Sequence, residues 1–161
     1  MIRLVDEPIQ INEIIEATAT TEDGGVCVFV GRTRAAARGR RVVRLAYEAY
    51  RPMALAEIEK IVACARERFG VERLSAVHRL GDVGLGEASV VVVAAARHRD
   101  EAFRACRFVI DELKKTVPIW KNEIYADGSA WVGDPDSSTG HLAKRPPGAD
   151  SEAVRPEDRP T

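Results

Sequence analysis

The order of strand-like and helix-like segments is the feature of this sequence that most constrains its fold. The strongest β signal is the apolar run at 88–96, and a second apolar run at 26–31 ends at a glycine, as expected of a buried strand. Further strands are predicted at 2–5, 42–50, 73–81, 119–125 and 130–133, the last two joined by a hairpin at Asp127-Gly128. Because strands and helices mix without a regular βαβ alternation, the sequence predicts an α+β fold.

Two long amphipathic helices are predicted at 53–69 and 100–116, after a short helix at 9–18. Gly70 is a natural stop for the first long helix, and Asp100 is a plausible N-cap for the second. The apolar face of the first consists of Ile58, Ile61, Val62, Ala65 and Phe69. The inner face of the second is expected to carry Phe103, Cys106, Val109, Ile110, Leu113 and Val117. In the strand at 42–50, alternation places Val43, Leu45, Tyr47 and Ala49 on one face.

Chain length and charge favour one soluble domain with local anion sites. The chain has 161 residues and a formal net charge of -1, so a global basic field for nucleic acid is absent. Its three cysteines form no CxxC pair, so we expect neither a disulfide framework nor a metal site. The N-terminus has no apolar leader and no run is long enough to span a membrane, which favours a reducing cytoplasm. NTPase, zincin and hydrolase motifs are missing.

The composition changes after residue 133. Five of the eight prolines lie beyond that point, among glycine, serine and charged residues. We therefore predict a single domain over 1–133 and a mobile tail over 134–161.

The segment LKKTVPIWK, from Leu113 to Lys121, places lysines on either side of an apolar bend at Pro118. Lys114 lies at the edge of the helix's apolar face, and Lys121 should point away from Trp120 because side chains alternate along a strand. Asp111 is expected to pair with Lys115. Either these lysines are solvated surface groups, or Lys114 and Lys121 reach into a cleft.

Two basic segments are candidate anion sites. His98 and Arg99 precede the second long helix, where cations and free backbone N–H groups together attract anions. The stretch 32–44 holds six arginines, and Arg32 and Arg34 immediately follow a buried strand. Arginine binds phosphate or carboxylate through two parallel hydrogen bonds. A capped surface loop and a disordered basic loop are the respective alternatives, and His78 is expected to be structural.

Five fragments in order carry a resemblance to a known family. They are VCVFVGRTR, LAYEAYRPMA, VHRLGDVGLGE, VVVAAARHRDEAF and DELKKTVPIWKNE. Together they resemble the catalytic (large) subunit of molybdopterin synthase over roughly residues 1–133. The resemblance implies an α/β hammerhead-like fold with two long helices, a mixed or antiparallel sheet and an added small antiparallel sheet. It also implies a sulfurtransferase of molybdenum cofactor biosynthesis that needs no cofactor of its own.

The resemblance further implies the reaction and the partners. Sulfur would pass from the Gly-Gly thiocarboxylate of a small ubiquitin-like subunit to cyclic pyranopterin monophosphate (precursor Z), forming the dithiolene of molybdopterin. The assembly would be a heterotetramer around a homodimer of large subunits.

Site residues carry over onto matching positions of this sequence. Lys114 and Lys121 would be catalytic, and the substrate-binding set would be Arg32, Thr33, Arg34, His98, Arg99, Lys114, Lys121, Asn122 and Glu123. The family often has lysine where Arg32 stands. His98 and Arg99 would act either in their own chain's site or across the dimer.

Two other functions remain open at this point. A small RNA- or anion-binding module would use the arginine-rich stretch, although RNA-binding aromatics interleaved with basic residues are missing. A non-catalytic scaffold would bind the ubiquitin-like tail without forming product. The sequence leaves open the order of the two sulfur transfers, the identity of the small subunit, and the roles of the tail and of the arginines at 38–41.

Overall fold

The computed structural model describes residues 1–132, which form nine strands and three helices. The strands are β1 (Ile2–Val5), β2 (Gly25–Arg32), β3 (Ala36–Ala37), β4 (Arg40–Ala49), β5 (Arg73–Arg79), β6 (Gly81–Gly84), β7 (Ala88–Ala96), β8 (Ile119–Tyr125) and β9 (Gly128–Val132). The helices are α1 (Ile11–Thr18), α2 (Arg51–Phe69) and α3 (Arg99–Thr116). Mixed and antiparallel sheets with separate helices confirm the predicted α+β class.

One layer is a four-stranded sheet in the order β1-β5-β7-β2. Only the β1–β5 pair is parallel, and β7 lies between β5 and β2 in antiparallel register. Helices α2 and α3 cover one face, against Val90, Val92 and Ala94 of β7. Helix α1 covers the other face, against Val91 and Val93. The run at 88–96 is apolar throughout because both faces of this strand are buried.

The second layer is a five-stranded sheet in the order β3-β4-β8-β9, with β6 also paired to β4. Its own core is small and centres on Val42, Leu45 and Tyr125. The chain passes directly from the end of α3 through Val117 and Pro118 into β8. The last turn of α3 is therefore joined to the five-stranded sheet by a short bend, and the candidate lysines lie on either side of that bend.

Several sequence predictions need correction. Phe103 is 59% exposed, and Ala102 and Ala105 occupy the buried face of α3 beside Cys106. Val43 is 46% exposed because the β4–β8 register shifts between Val42 and Arg44, which turns Val42 into the core. The N-cap of α3 is His98, whereas Asp100 lies in the first turn.

Two short strands were not predicted. The strand predicted at 73–81 ends at Arg79, and Gly81 begins a separate strand, β6. Arg38 and Gly39 connect β3 to β4 with φ values of 51° and 73°, the geometry of a tight two-residue hairpin.

The predicted tail at 134–161 lies outside the described residues, as does Gly133. Within residues 1–132, none of the three helices has the length and apolar character that crossing a membrane requires.

Candidate active site

A cleft of about 380 Å³ lies where the two layers meet, beside the C-terminal end of α3. Its apolar wall comes from Phe29 and Val90 of the four-stranded sheet, Leu113 of α3, and Val117 and Ile119 at the bend. Its charged groups are Arg32, Arg34, Lys114, Lys121 and Glu123. The cleft thus brings together five of the nine residues predicted for the site, four of them cations.

The bend between α3 and β8 places both lysines on the cleft. Lys114 lies in the last turn of α3, next to the buried Leu113, and its residue is exposed overall. Lys121 is the third residue of β8, and its side chain is 22% exposed. Lys121 lines the cleft whereas Trp120 does not, as strand alternation predicts. Lys115 pairs with Glu112 at 2.9 Å rather than with Asp111, which instead pairs with Arg107.

Glu123 is a buried carboxylate in the charged part of the cleft. It is 4% exposed, its Oε1 lies 3.1 Å from Lys121 Nζ, and its Oε2 accepts a hydrogen bond from the Tyr125 hydroxyl. Burial alone would raise the pKa of Glu123. The hydrogen bonds from Tyr125 and Lys121, with the charges of Lys121 and Arg38, outweigh burial and hold that pKa below its usual value. The same hydrogen bond is the largest cause that raises the pKa of Tyr125.

The basic turn after β2 is held by backbone contacts. The pairing with β7 shifts its register between Gly31 and Arg32, so that Arg32 lies opposite Ala88, and Arg32 Nε donates to the carbonyl of Gly86 at 2.6 Å. Thr33 is 3% exposed, and within the described residues its Oγ1 has no hydrogen-bond partner. Arg34 then reaches the cleft. These contacts fix the turn so that Arg32 and Arg34 both line the cleft.

Two of the remaining arginines have structural partners. Arg40 donates to Asp127 through Nε and Nη2, at 3.2 and 2.5 Å, and stacks over the Tyr125 ring with Cζ 3.8 Å from its centroid. Arg44 pairs with Asp82 at 3.0 Å. These pairings tie β4 to its neighbours and neutralise part of the charge that an RNA-binding module would need.

His78 lines the cleft, although the sequence indicated only a structural role. It is 5% exposed, packs edge-on against Tyr47 with centroids 4.9 Å apart, and places Nδ1 2.8 Å from the carbonyl of Arg79. A carbonyl only accepts, so Nδ1 carries the proton of the neutral ring. Burial lowers the pKa of His78 to about 4. A neutral imidazole therefore forms part of the wall, and a single histidine within a strand pattern gives no sign of this.

Comparisons with known proteins agree with this geometry. The profile of the family described as "MoaE protein" matches residues 4–116. The molybdopterin synthase catalytic subunit 1 of Mycobacterium tuberculosis is 42% identical over 132 residues, covering 82% of this chain and 90% of that protein. The molybdopterin synthase catalytic subunit of Pyrococcus abyssi is 40% identical over 126 residues, covering 78% of this chain and 85% of that protein. The chain belongs to the MoaE family.

A solved structure extends the family match to the fold. The molybdopterin synthase of Staphylococcus aureus superposes with a TM-score of 0.77 at 38% identity, covering 81% of this chain and 95% of that one. The resemblance read from the five sequence fragments is thereby confirmed. The MoaE profile ends at 116, so it includes Arg34 and Lys114 but not Lys121, which follows the bend.

The MoaE-family chain does not bring every predicted site residue to one place. His98 and Arg99 lie at the N-terminal end of α3 and Lys114 in its last turn. At 1.5 Å per residue, the backbones of Arg99 and Lys114 are about 22 Å apart. Asn122 alternates away from Lys121 and is not among the cleft-lining residues. His98 and Arg99 therefore lie outside the cleft of their own chain.

The turn at Gly24-Gly25 lies against the N-terminal end of α3. A Cβ on Gly24 would lie 2.5 Å from the carbonyl oxygen of Arg97, and one on Gly25 would lie 2.9 Å from Cα of Arg99. Only glycine allows this approach, which holds the His98-Arg99 segment in place.

Proposed function

We propose that this chain is the catalytic subunit of a cytoplasmic molybdopterin synthase. It transfers sulfur from the C-terminal thiocarboxylate of a small ubiquitin-like subunit to cyclic pyranopterin monophosphate (precursor Z), forming the dithiolene of molybdopterin. The observation that carries this proposal is the convergence of Arg34, Lys114 and Lys121 on one cleft in a MoaE-family chain. The relatives are named catalytic subunits, which agrees with a second subunit as sulfur donor.

Electrostatics support two anions meeting in this cleft. The substrate phosphate and the thiocarboxylate repel each other, and this repulsion grows as water is excluded. Four cationic side chains line the cleft against the one carboxylate of Glu123. Fixed cations of this kind stabilise negative charge that develops in a transition state without reorganising during the reaction. The apolar Val117 and Ile119 limit the water that would otherwise screen these charges.

The cationic side chains are assigned separate roles. Arg34 binds the pterin phosphate, assisted by Arg32 and the Thr33 backbone turn. Lys114 polarises the thiocarboxylate carbonyl and assists proton transfer. Lys121, held by Glu123, stabilises the negative charge that develops as the cyclic phosphate opens.

The proposed assembly accounts for predicted site residues that lie outside the cleft. Since His98 and Arg99 lie about 22 Å from Lys114 along α3, a second copy of the chain supplies them across a central dimer. Small subunits at the two ends would complete a heterotetramer. Asn122 lies on the other face of β8 from Lys121, so no contact with the substrate is assigned to it in this chain's own cleft.

A reconstituted assay tests the proposal. This protein, a thiocarboxylated small subunit and precursor Z are mixed, and molybdopterin is detected as its fluorescent oxidised derivative. Lys114→Ala should lose activity on the order of a hundredfold or more, because a group that stabilises transition-state charge is removed. Lys115→Ala is the matched control, since Lys115 is adjacent on α3 but bonds Glu112 outside the cleft.

Each alternative predicts a different result. Wild type that binds the small subunit without forming product would favour the scaffold. Equal activity of Lys114→Ala and Lys115→Ala would contradict the role given to Lys114. Salt-sensitive RNA binding without product would favour the nucleic-acid module.

A further inference from the structure

One face of β8 carries a connected polar network behind the cleft. Lys121, Glu123 and Tyr125 lie two residues apart along the strand, so their side chains point to the same side. Lys121 and Glu123 line the cleft, whereas Tyr125 lies behind them and is 4% exposed. The network therefore runs from the reacting space into the small core of the second sheet.

Both oxygens of the Glu123 carboxylate have donors. Lys121 Nζ lies 3.1 Å from Oε1, and the Tyr125 hydroxyl donates to Oε2. A buried carboxylate is stable as an anion only when such donors replace water. Without the hydroxyl, Oε2 would compete with Oε1 for the Lys121 ammonium. The tyrosine hydroxyl thus determines how much of that ammonium's interaction is left for an anion in the cleft.

The Tyr125 ring is itself held from the arginine-rich stretch. Arg40 stacks over the ring with its Cζ 3.8 Å from the centroid, and two hydrogen bonds to Asp127 fix the guanidinium. A cation over an aromatic face is attracted by the ring quadrupole. Arg40 joins the start of β4 to the turn between β8 and β9, which restricts rotation of the ring. This gives Arg40, one of the arginines that the sequence left unassigned, a definite place in the site.

We propose that Tyr125 is a positioning residue, which through its hydrogen bond to Glu123 aims the Lys121 ammonium into the cleft. This inference rests on the proposed function, in which Lys121 stabilises the opening phosphate. Tyr125 need not touch the substrate. It acts by keeping Glu123 ionised and oriented, so that Lys121 remains charged and directed at the substrate.

Several other titratable or charged groups lie around Glu123 and also contribute to any effect of pH on activity. Arg38 and Arg40 approach from the β3–β4 hairpin and β4. The other titratable groups lining the same cleft are Arg32, Arg34, Tyr47, His78 and Lys114. A change of one hydroxyl behind Glu123 leaves all of these in place.

The test is the Tyr125→Phe variant in the reconstituted synthase, which keeps the ring beneath Arg40. We expect kcat to fall on the order of tenfold, as for loss of a hydrogen bond to a charged group, with little change in the KM for the small subunit. The acid limb of the kcat profile should move to higher pH, because Glu123 takes up a proton more readily without its donor. Tyr50→Phe, at an exposed residue outside the cleft, is the matched control.

A purely structural role for Tyr125 would lower stability without moving the pH profile. If Tyr125→Phe has the same kcat as wild type and the same acid limb in its pH profile, the inference is overturned. If the variant does not fold, Arg40→Met, which removes the guanidinium stack and the Asp127 contact, should move the acid limb in the same direction, and an unmoved limb counts equally against the inference.

A second readout keeps this inference separate from the proposed function. The Glu123 carboxyl carbon is followed by NMR during an acid titration of wild type and Tyr125→Phe, and is assigned with Glu123→Gln. The titration midpoint should rise in Tyr125→Phe whether or not the protein forms molybdopterin. An unchanged midpoint overturns the positioning role. Wild type that forms no product but shows the shift contradicts only the proposed function.

Discussion

His78 should make the stability of this protein depend on pH between about pH 4 and pH 7, a window that extends above the range in which carboxylates titrate. Burial lowers its pKa from 6.5 to about 4 in the folded chain, while the unfolded chain keeps the ordinary value. Between these two values unfolding takes up a proton, so the free energy of unfolding falls as pH falls. The total loss in the free energy of unfolding, at about 1.4 kcal/mol for each unit between the two pKa values, is about 3 kcal/mol. This loss is absent above about pH 7 and complete below about pH 4.

Urea unfolding at several pH values measures this effect. Between about pH 7 and pH 4.5, His78 alone should lower the free energy of unfolding by roughly 2 to 2.5 kcal/mol. His78→Gln and His78→Asn stay neutral at every pH, so both should lose this part of the pH dependence although they differ in packing. Other titrating groups cancel when each variant is compared with wild type.

The refuting result is equally definite. If wild type and both variants lose the same free energy between these pH values, the proton taken up on unfolding does not come from His78. The neutral imidazole assigned to the cleft wall would then be wrong. A difference in absolute stability with parallel slopes would report only lost packing against Tyr47.

Two further predictions concern packing. Leu74→Ala, at a residue 1% exposed, should lower the free energy of unfolding by about 2–5 kcal/mol, whereas Leu85→Ala, at a residue 46% exposed, should stay within about 0.5 kcal/mol by the same urea titration. Gly24→Ala places a Cβ 2.5 Å from the carbonyl oxygen of Arg97 and should cost about 1–3 kcal/mol. Hydrogen exchange should show opening of the first turn of α3 before the rest of the helix, and unchanged protection there would contradict the close approach.

Local pattern predicted the elements well where one interaction decided the outcome. Helix α2 and strand β7 follow directly from their apolar residues, because burial alone selects their faces. The same reasoning failed at Val43 and Phe103. A register shift with β8 determines which of two adjacent valines enters the core, and such pairing is set by a strand far along the chain. Phe103 fits the helical period, but the small Ala102 and Ala105 allow α3 to approach the sheet and leave the larger ring outside.

Part of the candidate site was predictable because the local pattern of a helix end and a strand determines it. Lys114 and Lys121 lie close together along the chain, on either side of one bend. The end of the helix and the alternation of side chains along the strand therefore determine where both lysine side chains lie. The distance between Arg99 and Lys114 was equally available from the helix length, and it is the basis for proposing that a second chain supplies His98 and Arg99. The contact of Tyr125 with Arg40 was not available. It joins residues from two hairpins, and the Arg38-Gly39 connection between β3 and β4 has no strong sequence signature.

The position of the cleft between two unequal cores has a consequence for mutations. The four-stranded sheet is covered on both faces and supplies a rigid apolar wall. Among the described residues, the five-stranded sheet has a small buried apolar cluster of Val42, Leu45 and Tyr125, and Val83 of β6 is buried as well. Ion pairs join β4 to Asp82 of β6 and to Asp127 beside β8. Exposed ion pairs add little stability, so changes in them should alter the orientation of Lys121 before they alter global unfolding. Activity and its pH dependence should therefore respond to substitutions in β8 and its arginine contacts that leave the urea midpoint nearly unchanged, whereas substitutions under α2 and α3 should do the reverse.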